Sequence, residues 1–486
     1  MKFIVREVFT EVCADYGEIS IINDLSVIKE DDEEKSLLRI TDNGLYFYSG
    51  LVDYFLDKLK SRNIEVEVEY KVSYEDISIH IPEDILPGIT LRDYQLSAAT
   101  KCLHYKRGVV DICTGGGKTE VEIALAKYLN KRTVIFSSGV KPMKQIAKRF
   151  EKYGINVGCY WSGEHNLGNN ILIGVTNSLR RGIQQGDTEL VEYLRDCEVL
   201  IIDETHHLLH SKEWQFITES IPAKYRFGFS ATPFDNLKEF TFADHNLIGM
   251  LGGVICHIPA WVLIERGLLA RPIIVMKPIN FPLLNPRTSD WHYVYPNGIV
   301  NNVSRNNYAV CMAKQLESIG HKVLILVTRH AHGHILLHKF ADPNIKFLSG
   351  GETVTKYESK GKLVDINEDT DISLSDLLEM KSGIFIGTVV LDEAVDIPDI
   401  SCLIVLSAQR NYRKVMQRIG RSLRPKPGSN ETLIIDFFDK THYTLTNQSR
   451  ARIEVYEHDS CRYRVVNSIE EANIFLTNPI NLTEEC

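Results

Sequence analysis

The residue types best suited to chemistry fall in one run: Cys113, Thr114, Gly115, Gly116, Gly117, Lys118 and Thr119, followed at once by Glu120, Val121, Glu122, Ile123, Ala124 and Leu125. Three successive glycines let the backbone fold tightly enough for its N–H groups to converge, and a helix start adds the positive end of its dipole. Such a cradle suits a polyphosphate. Thr114, Gly115, Gly116 and Gly117 would surround it, the Lys118 ammonium would reach the β and γ phosphates, and the Thr119 hydroxyl can ligate magnesium. The full G-x-x-x-x-G-K-[ST] pattern is not met, because Ile112 stands where its first glycine would be, but the shorter T-G-x-G-K-T core is intact.

A second group of acids follows the apolar run Val199 to Ile202, namely Asp203 and Glu204, with Thr205 and His206 behind them. An acid at the carboxyl end of a parallel strand sits where ligands bind in open α/β sheets. Asp203 can therefore hold magnesium and Glu204 can orient an attacking water; a plain strand end with a capping acid would read the same way from this stretch alone. Lys118 and Asp203 together supply the cation and the metal-holding acid that phosphoryl transfer needs. The pair points to nucleoside triphosphate hydrolysis.

These groups need elements to position them. Short runs rich in Val and Ile recur at Gly108 to Ile112, Thr133 to Phe136, Ile171 to Val175, Val199 to Ile202 and Arg226 to Phe229, with amphipathic stretches between them. The rhythm restarts at Lys322 to Val327, Gly383 to Ile386, Cys402 to Leu406 and Thr432 to Phe437. Parallel strands joined by crossover helices give this pattern, so the fold class is α/β with two tandem parallel-sheet lobes. Residues 1–90 differ in kind, with 20 acidic and 9 basic residues against 44 and 46 in the rest. Strands at Ile19 to Ile22, Leu45 to Tyr48 and Glu65 to Val72 are expected there. A helix over Leu51 to Lys60, with Leu51, Tyr54, Phe55 and Leu59 at helical spacing, completes a small α+β domain. The expected divisions are 1–86, a first lobe 87–244, a second lobe 245–445 with a polar insertion at 350–381, and a tail 446–486. The insertion should hold a short helical piece, Leu374 to Met380.

With 486 residues, 44% hydrophobic and 24% charged, the chain has ample material for cores, which excludes a disordered, collagen-like or disulfide-scaffold protein. Ten scattered cysteines without C-x-x-C fit reduced thiols in a cytoplasm rather than disulfides or zinc. Early Glu7, Glu11 and Asp15 do not fit a secretory leader. His245 to Ile264 lacks Asp, Glu, Lys and Arg, yet Asn246, three glycines, His257 and Pro259 suit a buried crossover better than a membrane span. A net charge of −9 means that any nucleic acid must be met by local basic patches.

The order of further motifs resembles the superfamily 2 helicases and translocases, over about residues 90 to 450. Leu91, Arg92, Asp93, Tyr94 and Gln95 resemble the adenine-reading segment, with Arg92 and Gln95 at the base; Cys113 to Thr119 resembles motif I; and Asp203 to His206 gives a D-E-x-H motif II. Ser230, Ala231, Thr232 and Pro233 resemble motif III, whose Ser230 and Thr232, with His206, are implied to couple hydrolysis to lobe movement. Gly387, Thr388 and then Glu393 to Pro398 resemble motif V, with Asp396 near the nucleotide and Ala394 where a glycine is usual. Gln417, Arg418, Ile419, Gly420, Arg421, Ser422, Leu423 and Arg424 resemble motif VI, in which Gln417 would touch the nucleotide and Arg421 and Arg424 would act as arginine fingers. A solvated basic helix or a phosphate-backbone contact would account for the same arginines, since Arg410 to Lys426 holds seven basic residues and no acid.

The resemblance implies RecA-like lobes, ATP and Mg2+ bound between them, and nucleic acid across another face near Ser138, Lys141, Thr176 and Thr388. Gly44 to Asn63, Ile264 to Pro272, Arg329 to Phe340 and the tail residues Asp436, Asp439, His442, Tyr443, Ser449, Arg450, Arg452 and Tyr456 resemble the phage UvsW-type branch-migration helicases. The implied function is an ATP-dependent DNA helicase or translocase remodelling branched DNA; a cytoplasmic location and no membrane partner are expected, with a monomer compatible and the oligomeric state left open. An RNA helicase and an ATP-switched binding scaffold remain alternatives. His330, His332, His334 and His338 do not read as a metal site: alternate residues point apart on a strand, and no cysteine or carboxylate completes the set.

Overall fold

A computed structural model describes residues 1–30, 33–42, 44–168, 170–234, 240–349, 353–358, 362–366, 382–388, 400–408, 431–458 and 461–466. The chain separates into two compact units, Met1–Ile258 and Pro259–Cys486.

The first unit opens with a five-stranded sheet in the order Arg39–Thr41, Gly44–Tyr48, Phe9–Cys13, Lys2–Val5, Glu67–Tyr70. Helix Val52–Ser61 turns Val52, Phe55 and Leu59 inward at helical spacing, onto Phe3 and Phe47. Ile19–Ile22 is not a strand. It lies inside the helix Tyr16–Ser26, which starts on a capping box: Glu18 N–H donates to Asp15 Oδ1 and Asp15 N–H to Glu18 Oε2.

This small domain is seated on the larger sheet of the same unit. A Cβ on Gly50 would stand 2.2 Å from the Ile248 carbonyl oxygen and 2.7 Å from that of Gly249, so only glycine fits there. Tyr48 O–H donates to Glu219, Arg39 also reaches Glu219, at 2.9 Å, and the Arg39 guanidinium lies over the Tyr48 ring.

The larger sheet has eight strands in the order Glu164–Asn166, Gly158–Trp161, Ile171–Val175, Thr133–Ser137, Val199–Asp203, Tyr225–Ser230, Arg107–Ile112, Val254–Ile258. All neighbours are parallel except the first pair. Strands such as Thr133–Ser137 and Ile171–Val175 are buried at every residue, as a sheet covered on both faces requires. The uncharged stretch at 245–264 is not a simple crossover. It contributes to helix Phe242–Leu251, then strand Val254–Ile258 on the sheet edge, then helix Ala260–Glu265. Because that strand pairs with Arg107–Ile112, the first unit runs to Ile258, past the expected division at 244.

In the second unit a nine-stranded sheet runs Lys362–Ile366, Thr353–Glu358, Lys346–Ser349, Gly383–Thr388, Lys322–Val327, Cys402–Val405, Glu431–Asp439, Arg271–Ile279, Arg462–Val465. Thr353–Glu358 pairs antiparallel with both of its neighbours, Lys362–Ile366 and Lys346–Ser349, the first two strands lying within the expected insertion, and the remaining pairs are parallel. Leu374 to Met380 lies outside the described residues. The histidine run, expected along a strand, is the helix His330–Phe340 that follows the strand Lys322–Val327, and His332 is buried, bonded to Asn306 Oδ1 at 2.8 Å. Two buried arginines brace the tail: Arg305 donates to Asp439 Oδ1 at 3.0 Å, and Arg452 to Asp436 Oδ2 at 2.8 Å, which also accepts from Tyr456 O–H.

Candidate functional site: the phosphate loop and the acids behind it

The strand Arg107–Ile112 delivers the chain into the glycine loop, and the helix Lys118–Leu129 leaves it. Gly115 and Gly117 have φ of +80° and +78°, and a Cβ on Gly117 would stand 2.3 Å from Gln95 Nε2. The loop therefore needs glycine both for its backbone and for its neighbour. Two side chains from the start of the helix Asp93–Tyr105 hold the loop from outside: Tyr94 O–H donates to the Gly116 carbonyl at 2.8 Å and Gln95 Nε2 to the Gly117 carbonyl at 3.2 Å. Arg92 N–H in turn donates to Gln95 Oε1 at 2.9 Å, while the exposed Arg92 guanidinium donates to Tyr94 Oη at 3.1 Å. The segment read as adenine-binding is thus also a brace for the loop. In the sequence Tyr94 stands within that segment without a role of its own, which its hydrogen bond to the loop now supplies.

Asp203 ends the strand Val199–Asp203, and Ser230 ends the strand Tyr225–Ser230, which lies between that strand and the one feeding the loop. One sheet edge thus collects Lys118, Asp203, Glu204, His206 and Ser230. Glu204 adopts φ +54°, a left-handed conformation that costs a non-glycine residue of order 1 kcal/mol and is tolerated where surrounding structure enforces it. Its N–H donates to Asp203 Oδ1 at 2.9 Å. The buried His206 places Nδ1 3.3 Å from Glu204 Oε2 and 3.2 Å from Ser230 Oγ, and Ser230 Oγ accepts from Thr232 N–H at 3.1 Å. A continuous polar path therefore joins Glu204, His206, Ser230 and Thr232.

The electrostatics match a site built for a charged ligand. Burial pushes the Lys118 pKa down, but the Glu204 and Asp203 carboxylates outweigh it and the net shift is upward. Asp203 is pushed up to about 7, first by burial and then by the charge of Glu204. Glu122, one turn along the helix from Lys118 and fully buried, is raised well above the carboxylate range by burial and then by Asp203. Carboxylates crowded until they resist ionisation are what a divalent cation relieves, so the residues present fit magnesium. Among the described residues, no cluster of three or more His, Cys, Asp or Glu could hold a metal by itself. Magnesium needs no such cage, since one or two protein groups and the phosphates suffice.

The nucleic-acid candidates divide. Parallel pairing of Thr133–Ser137 with Ile171–Val175 brings Ser138 and Lys141 beside Thr176, and Lys141 is exposed at the start of the helix Val140–Lys152. Thr176 is buried and its hydroxyl donates to the Ser137 carbonyl at 2.9 Å, so it braces the two loops instead of facing a phosphate. Thr388 is likewise buried, at the end of Gly383–Thr388. Asp396, Gln417, Arg421 and Arg424 lie outside the described residues.

The comparisons with known proteins agree with this arrangement. The family "Type III restriction enzyme, res subunit" matches residues 88–235, and "Helicase conserved C-terminal domain" matches residues 308–426. The "DNA 3'-5' translocase XPB2" of Sulfurisphaera tokodaii is 24% identical over 83% of this chain and 92% of its own length. Among solved structures, S. cerevisiae Dbp5 bound to RNA and ADP BeF3 is 13% identical with a TM-score of 0.53, over 79% of this chain and 92% of that one. T4 UvsW is 13% identical with a TM-score of 0.44, over 96% of this chain and 99% of that one. Two parallel-sheet units carrying these two domains in this order define a helicase motor, and the chain belongs to superfamily 2 of the helicases. It is an ATP-hydrolysing enzyme of that superfamily, with helicase or translocase activity on nucleic acid. Among the described residues, no helix is long and apolar enough to cross a membrane.

Proposed function

We propose that the enzyme uses ATP to translocate on DNA and remodel branched forms of it, such as forks, R-loops or four-way junctions. The observation that carries the motor reading is the convergence of Lys118, Asp203 and Glu204 on one glycine-bent loop. DNA as the track is supported by the relative named as a DNA translocase, aligned over most of both chains. Branched DNA is supported by the UvsW-like stretches of the sequence.

In this reading the loop amides from Thr114 to Gly117 and the Lys118 ammonium hold the phosphates, and Arg92 and Gln95 address the adenine. Thr119 and Asp203 would hold magnesium, which when bound neutralises charge on the phosphate oxygens. Glu204 orients the attacking water: its left-handed backbone turns the side chain out of the strand line, and His206 touches the carboxylate and limits its freedom. The path through His206, Ser230 and Thr232 carries the state of that carboxylate away from the nucleotide. Asp396 and Gln417 contact the nucleotide, and Arg421 and Arg424 add guanidinium charge to the transition state, worth about 10³- to 10⁵-fold where such fingers have been measured. Ser138 and Lys141 meet the nucleic-acid backbone, and Thr176 holds the loop beside them.

The test is conversion of a synthetic four-way junction and of a fork to their products, with an RNA duplex as control. ATP-dependent processing of the DNA substrates is expected, with loss of at least about a hundredfold in Glu204→Gln while junction binding persists. Processing of the RNA duplex alone would replace DNA with RNA as the track.

A further inference from the structure

Glu122 is a buried acid that none of these roles uses. It is fully enclosed, and neither carboxyl oxygen has a hydrogen-bond partner among the described residues. It stands four residues after Lys118 and three after Thr119, so it lies beneath both on the same helix face. Its strongest electrostatic neighbours are Asp203 and Lys118, followed by Glu120 and Glu204. A carboxyl in such a place is expensive to desolvate, and the helix around it is otherwise apolar at Val121, Ile123, Ala124 and Leu125. An apolar side chain would serve packing better. A buried polar group left without a partner is explained when a partner arrives with a ligand.

We propose that Glu122 is a positioning residue for the hydrated divalent cation that accompanies the nucleotide, accepting hydrogen bonds from its water shell behind Thr119 and Asp203. The inference rests on the reading of Thr119 and Asp203 as the groups that hold that cation. Magnesium gives up its waters reluctantly, so a site with few direct ligands gains from a second layer that fixes those waters. Loss of such an outer group typically costs about 10- to 100-fold in metal affinity or activity. Glu122 does not touch the phosphates in this account, and metal-free nucleotide should bind without it.

The test uses the full chain and two variants. Glu122→Gln removes the charge and keeps one acceptor, whereas Glu122→Met removes both oxygens at similar size. Melting is measured without ligand, with ADP in a chelator, and with ADP plus magnesium, alongside the magnesium dependence of ATP turnover. Both variants should melt at or above wild type without ligand and respond normally to metal-free ADP. They should lose much of the extra stabilisation from magnesium and need about tenfold more magnesium for half-maximal turnover, Met more than Gln. A magnesium response equal to wild type in both variants would overturn the proposal. So would failure of both to fold, which would make the carboxyl a structural support. If wild type itself showed no magnesium-dependent turnover, the functional reading would fall first.

Discussion

Asp203 shows how one carboxyl can favour function over stability. Burial and the neighbouring Glu204 charge lift it from 3.8 to about 7, so folding raises its affinity for a proton. Between those values the folded protein holds more protons than the unfolded chain, and stability falls as pH rises through that window. Without nucleotide, Asp203→Asn should therefore melt higher than wild type, by a margin that widens from about pH 5 to about pH 8. Thermal unfolding at both pH values checks this, and a margin that shrank with rising pH would contradict it. At this scale the sequence was most legible where glycine, lysine and acid spacing is dictated by phosphate geometry. Glu122 escaped because an acid inside a helical run looks like a solvent-facing one, and only burial distinguishes the two. Thr176 and Thr388 were placed near nucleic acid by the resemblance alone, and both are buried.

At the scale of elements, the site depends on strands whose ends are held in register and on a small domain seated against them. The seat is tight at Gly50, where an added methyl would meet the carbonyl oxygens of Ile248 and Gly249. Gly50→Ala should cost about 1–3 kcal/mol and loosen the domain, seen as a lower melting temperature and faster proteolysis between residues 71 and 90. An unchanged melting temperature and protease pattern would show that the seat is slack. Central strands such as Ile171–Val175 and Lys322–Val327 were legible because burial on both faces demands unbroken apolar runs. Edge strands were not: Glu164–Asn166 and Arg462–Val465 are polar or alternate, and Val254–Ile258 follows two glycines. Ile19–Ile22 was misleading because its apolar run is short, and the capping box at Asp15 and Glu18 decides for helix.

For the whole molecule, the question is how a chain of net charge −9 works on a polyanion. The acidic excess lies in the first 90 residues, and the rest is near neutral with exposed basic groups such as Lys141 beside the strand ends. Binding through a few local contacts implies a moderate salt dependence rather than the steep one of a wholly basic surface. Two successive sheet units were legible as two bursts of apolar runs, while the division between them was obscured by a stretch that belongs to the first sheet's edge. The central claim is that nucleotide chemistry at Lys118 is coupled to nucleic acid. Its most direct test is ATP turnover by wild type and Lys118→Ala across single-stranded, duplex, forked and four-way DNA, with RNA as control. The account predicts wild-type turnover that rises on adding DNA, most with the branched forms, and a Lys118→Ala variant that still binds DNA but turns over nothing. Turnover by wild type that no DNA changes would contradict it.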